Sequence, residues 1–269
     1  MITRLLLLML LSSCATPTAG RPALALDHQV LPKASAITLD AVRRSPVQRF
    51  VKEAPGVVRK GIARLVTLVP LDDAKSGRLA PAVGAAFIVD RLELETALRL
   101  EKTLSSQEIA AFALALQTPS VAAVVSASVL SEPDTAVLER FVEDPKALTE
   151  VRRARVKALV DASWSPSVLD RLSRAPVAAA GRVVAAALKD DDDQRRTELL
   201  RIAEAGRPVD PDALVVAFAF LWRELDDAVL DEATVYFTSD QGQRAAEALL
   251  EAATSSLAQL AADVEQRVR

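Results

Sequence analysis

Residues 225–252 read LDDAVLDEATVYFTSDQGQRAAEALLEA. Apolar residues recur three and four positions apart on both sides of a short polar break at Thr238-Ser239-Asp240, the spacing of two consecutive amphipathic helices. Ser239 can cap the second helix through its hydroxyl, and Asp240 is favourable beside the positive end of the helix dipole. Tyr236 and Phe237 end the first helix and can wedge into the hairpin. Gly242, one turn into the second helix, lets the two backbones approach closely. The stretch is an αα-hairpin fastened by Tyr236, Phe237, Ser239 and Gly242, and a structural role for this clasp is favoured over a binding role.

The same logic extends over most of the chain. Helix starts are announced by a side-chain oxygen followed by proline at Ser45-Pro46, Thr118-Pro119, Ser165-Pro166 and Asp210-Pro211. Strand-like alternation is nearly absent. The expected fold is all-α, a multi-helix bundle beginning near Thr38. Pro55 and Pro176 are expected to divide helices, giving pairs at 46–52 and 56–69 and at 166–173 and 177–189. Residues 80–101 read as one helix.

The helix signals also repeat. SPVQRFVKEAP (45–55) aligns with SPSVLDRLSRAP (165–176), and LSSQEIAAFALALQTPSVAAVVSA (104–127) lies opposite residues 225–248 at a constant offset of 121. Identities are few, but the order of caps and apolar stripes is kept. An internal duplication predicts two related helical halves, 38–145 and 146–269. Chance coincidence in a proline-punctuated helical chain is the competing explanation.

Residues 225–252 are similar to the signature of a family of exported bacterial helical proteins classed as a domain of unknown function. In that family an acidic-apolar helix ends in Phe-Tyr, followed by x-Ser-Pro-x-Gly-x-Lys. Here the aromatic pair is reversed as Tyr236-Phe237, Asp240 replaces proline and Arg244 replaces lysine. The first copy departs further, with Leu116-Gln117 in place of the aromatics and Val121 in place of glycine. The resemblance implies a helical exported domain and supplies no activity, since the family label carries none.

Export is also written at the start. Arg4 precedes an unbroken apolar run, Leu5 to Leu11, and Ser12-Ser13 lead to Cys14, the only cysteine in the chain. The run falls short of the ~20 residues that span a bilayer. Leu11-Ser12-Ser13-Cys14 resembles the lipobox of bacterial lipoproteins. That resemblance implies a signal peptide at 1–13, cleavage after Ser13 and lipidation of Cys14, which anchors the protein in a membrane. Ala15 after the cysteine resembles the pattern of lipoproteins sent to the outer membrane, on the periplasmic face. Residues 14–37 carry three prolines and no helical stripe, and read as a tether reaching roughly 25 Å as a loose coil.

Chemistry is sparse. One histidine, His28, and one cysteine cannot assemble a zinc site of the usual kind, and the eight glycines form no phosphate-binding loop. There is no G-x-S-x-G motif. KDDDDQRR (189–196) lacks the spaced ligands of a calcium loop and reads as a helix start with a solvated acidic face. A formal net charge of −3 gives no electrostatic footprint for nucleic acid. No enzyme, metal or cofactor is expected. The expected role is a lipid-anchored binding or scaffold domain of the cell envelope with a protein partner. The alternative is a carrier or sensor of an apolar, lipid-like ligand between the halves, lined by PVAAAGRVVAAAL (176–188) and ALVVAFAFLW (213–222).

Overall fold

The structure is a computed structural model and describes residues 33–128, 135–144, 148–188, 192–204 and 209–269. Thirteen helices account for nearly all of these residues. They are α1 (Ala36–Arg44), α2 (Gln48–Leu65), α3 (Asp73–Ala86), α4 (Val89–Thr103), α5 (Ser106–Ala115), α6 (Pro119–Ser128) and α7 (Thr135–Glu143), then α8 (Glu150–Ser163), α9 (Pro166–Ala187), α10 (Asp193–Glu204), α11 (Pro211–Leu221), α12 (Asp227–Thr238) and α13 (Asp240–Val268). The all-α expectation holds. The signal peptide 1–13, Cys14 and His28 lie outside the described residues. Helix α1 begins at Ala36, inside the segment 14–37 expected as a tether, with Ser35 capping it by accepting the Thr38 N–H.

Side-chain caps open most of the helices, since the first N–H groups of a helix otherwise lack partners. Asp72, Thr149, Ser165 and Asp210 each accept a backbone N–H from the first turn they precede. Ser105 and Glu108 form a reciprocal capping box on α5.

Three helix expectations are corrected. Pro55 and Pro176 sit inside continuous helices, α2 and α9. Each proline forgoes one helical hydrogen bond, at a cost of about 3 kcal/mol. Each also continues a buried stripe: Val51, Ala54, Pro55, Val58 and Ile62 in α2, and Leu172, Pro176, Ala179, Ala180 and Val183 in α9. Burial of the whole stripe offsets the loss. The helix expected over 80–101 is instead broken at Phe87-Ile88, where the Phe87 side chain is fully buried and Ile88 is extended.

A single hydrophobic core holds the bundle. Among the described residues its members are connected and extend from Ala41 to Val268. The long helix α13 lies at its centre, packed on α9, α4 and α3, while α9 crosses α2 and α10. The α2–α9 crossing is close, because a Cβ on Gly61 would stand 3.1 Å from the Ala180 Cβ. An isolated bridge joins Leu71 to Leu188, and the Lys75 ammonium donates to the Leu188 carbonyl at 3.0 Å, tying the start of α3 to the end of α9.

The contacts recur in pairs. α1 touches α4, α5 and α6, and α8 touches α11, α12 and α13. α4 and α5 reach across to α13, just as α11 and α12 reach across to α6. α2 and α9 meet each other. The pattern is not complete, because α13 has 29 residues and also covers α3 and α9, which the shorter α6 does not match. The boundary expected between residues 145 and 146 lies outside the described residues.

Candidate functional site

The hairpin of α12 and α13 is built around Ser239. Its hydroxyl accepts the Gly242 N–H at 3.1 Å and donates to the Tyr236 carbonyl at 2.7 Å. Both roles of the hydroxyl are therefore occupied, so Ser239 is a cap and not a poised nucleophile. Gly242 is dictated by space: a Cβ there would stand 2.1 Å from the Tyr236 carbonyl oxygen. The site residues Tyr236, Phe237, Ser239 and Gly242 come together at one corner.

The two aromatic rings meet edge to face, with centroids 5.2 Å apart. Phe237 is buried in the core. Tyr236 lies with its ring against the core and its hydroxyl buried, with no hydrogen-bond partner among the described residues. Loss of solvent around the phenol pushes its pKa up to about 12.

Two neighbours extend the clasp beyond the hairpin. The Gln243 amide donates to the Ala162 carbonyl at 2.9 Å and to the Phe237 carbonyl, linking α13 to the end of α8. Arg244 pairs with Glu108 at 2.8 Å. Glu108 belongs to the α5 capping box, and the backbone and hydroxyl donors of Ser105 hold its carboxyl below the usual carboxylate range. The two aligned hairpins, 104–127 and 225–248, thus touch each other through Arg244 and through α6 against α12.

A second polar cluster was not legible from the sequence. Arg152 on α8 donates to the carbonyls of Trp222 and Leu225 at 2.7 and 2.8 Å and to Asp227 at 2.5 Å. It satisfies the carbonyl end of α11 and the acidic start of α12 at once. Arg155 pairs with Asp227 and Asp231 alongside it. Phe218 stacks on Trp164 and packs against Trp222, with centroids 5.8 and 4.8 Å apart. No motif marks these residues, because partners about 70 positions apart leave no local pattern.

The two apolar segments separate in space. Pro176–Leu188 faces α2, α10 and α13, while the helix bearing Ala213–Trp222 faces α8 and also meets α6 and α7. Their apolar faces are taken up by the protein core. Of the acidic run, Lys189, Asp190 and Asp191 lie outside the described residues. Asp192 and Asp193 pair with Arg195 and Arg196 at the start of α10. Among the described residues no three His, Cys, Asp or Glu side chains converge as a metal site would require. No single described helix is long and apolar enough to cross a membrane, and α5 and α6, which reach that composition only jointly, are bent by 80°. The chain matches no family model, no curated protein and no solved structure.

Proposed function

We propose that the chain is a lipid-anchored lipoprotein of the bacterial cell envelope, carrying a non-catalytic helical domain that acts as a binding or scaffold module. The observation that carries this reading is the position of the only cysteine: Cys14 closes Leu11-Ser12-Ser13-Cys14 directly after the apolar run from Leu5. A diacylated and further acylated cysteine exceeds the two anchoring signals that stable membrane attachment takes. The sorting reading places the domain at the outer membrane, facing the periplasm.

The non-catalytic reading is supported by the character of the clasp, in which Ser239 is saturated and the charged groups of Arg152 and Arg244 pair with carboxylates or helix ends. The duplication is supported by the paired contacts, in which α1, α4, α5 and α6 relate to one another much as α8, α11, α12 and α13 do.

Intact mass measurement tests the anchor. The full chain is expressed in a bacterium and extracted in detergent, beside Cys14→Ser. The expected result is loss of residues 1–13 together with acyl additions on residue 14, both abolished in the variant. An unacylated chain that keeps its first residues would overturn the reading. Photo-crosslinking from the exposed helix faces of the anchored protein then identifies its envelope partner.

A further inference from the structure

Helix α2 carries five basic residues and one acidic residue, in a chain whose formal net charge is −3. Its apolar stripe is used by the core, so the charges lie on the outward half of the helix. From Ala54 to Leu71 the sequence has no Asp or Glu. Lys52, Arg59 and Arg64 are exposed and, among the described residues, have no hydrogen-bonded or ionic side-chain partner. Elsewhere exposed arginines are usually answered: Arg44 by Asp40, Arg174 by Asp170, and Arg201 by Glu198. One turn past Arg64, Leu68 stands 72% exposed.

The geometry points to the outer face of α2 as a membrane-facing surface that takes anionic phospholipid headgroups. A basic row attracts the negative surface, and an apolar side chain beside it can enter the headgroup layer. The remainder of the chain is more acidic than the whole, so the same field turns the other faces away from the lipid. Position in the chain agrees: α1 is the first described helix after Cys14, and it leads into α2 through the short turn Ser45–Val47. The inference rests on the proposed Cys14 anchor only for its cellular setting. The surface itself is independent of acylation.

The test therefore uses residues 15–269, which keep every described residue but lack both the acylation site and the apolar run Leu5–Leu11. Flotation compares phosphatidylcholine vesicles with vesicles that also contain phosphatidylglycerol, at low salt. Three basic residues, each worth roughly five-fold, give an expected preference of about 100-fold for the anionic vesicles. The preference should disappear in K52Q/R59Q/R64Q and persist in R153Q/R267Q/R269Q, which removes the same charge from exposed positions elsewhere. Circular dichroism confirms that each variant is folded. Equal binding to both vesicles overturns the proposal, as does equal weakening by the two triple variants. An acidic protein partner on this face would also give no vesicle preference. Failure of acylation is read separately, by mass at Cys14, so the two ideas fail independently.

Discussion

The indole N–H of Trp222 donates to the Ser128 hydroxyl at 3.1 Å, and Ser128 in turn donates to the Val124 carbonyl at 2.8 Å. Trp222 follows α11 and Ser128 ends α6, so one buried hydrogen bond ties elements 94 residues apart. Because Trp222 is fully buried, its N–H has no water to fall back on. Ser128→Ala should therefore cost about 1–3 kcal/mol, the penalty for a buried donor left unpaired. Urea unfolding followed by tryptophan fluorescence measures it. A cost below about 0.5 kcal/mol would mean that the indole finds another acceptor.

Gly242→Ala should destabilise the protein by about 2–3 kcal/mol, because the added carbon meets backbone that cannot turn aside. Gly84→Ala provides the contrast. Gly84 lies within α3 with nothing within 4 Å of its Cβ position, and the substitution should stabilise by about 0.5–1 kcal/mol. Similar effects at the two sites would remove the steric argument for the clasp.

Tyr236 is the only tyrosine, so absorbance at alkaline pH reports its ionisation alone. The native midpoint should lie near pH 12, against about 10 for the denatured chain. The folded pKa is raised, so the associated stability is complete below pH ~10 and is lost as pH climbs toward the folded value. A native midpoint near the denatured one would place the phenol in solvent.

Arg152→Met keeps much of the stem but removes the donors to Trp222, Leu225 and Asp227. The expected loss is about 2–3 kcal/mol, the range for hydrogen bonds involving a charged group in a partly buried site. Arg152→Lys should recover less than half, since an ammonium lacks the planar fork that reaches several acceptors together. Full recovery by lysine would show that charge alone matters there.

Glu101 accepts from the Ser35 N–H and the Thr38 hydroxyl, each at 2.7 Å, holding the start of α1 against α4. These donors, the Ser35 backbone first, lower its pKa from the ordinary value. Its contribution is present above the unfolded pKa near 4.5 and is lost as pH falls through the folded value. Glu101→Gln should lower stability at neutral pH and flatten the acid limb of the stability curve. A parallel offset at all pH values would assign the effect to packing.

The helical character was legible because caps and apolar stripes are local. Thr118-Pro119, Ser165-Pro166 and Asp210-Pro211 each open a helix in the structure, and the Ser239 cap and Gly242 contact lie within the seven residues from Tyr236 to Gly242. Pro55 and Pro176 misled because a local rule for proline omits the value of a buried stripe continuing through it. The break at Phe87 was invisible since no proline or side-chain cap marks it; it coincides with a fully buried ring. Arg152 stayed hidden for a related reason, as two of its acceptors are backbone carbonyls that any sequence possesses and the third, Asp227, lies 75 positions away.

The order in which the helices are made has its own consequence. α13, the last of the described helices along the chain, supplies the central surface for α3, α4 and α9. A growing polypeptide shorter than that helix leaves those three with their apolar stripes uncovered, so the bundle closes only when residues 240–268 have emerged. Until then the uncovered stripes of α3, α4 and α9 leave the growing chain without the surface that completes its core.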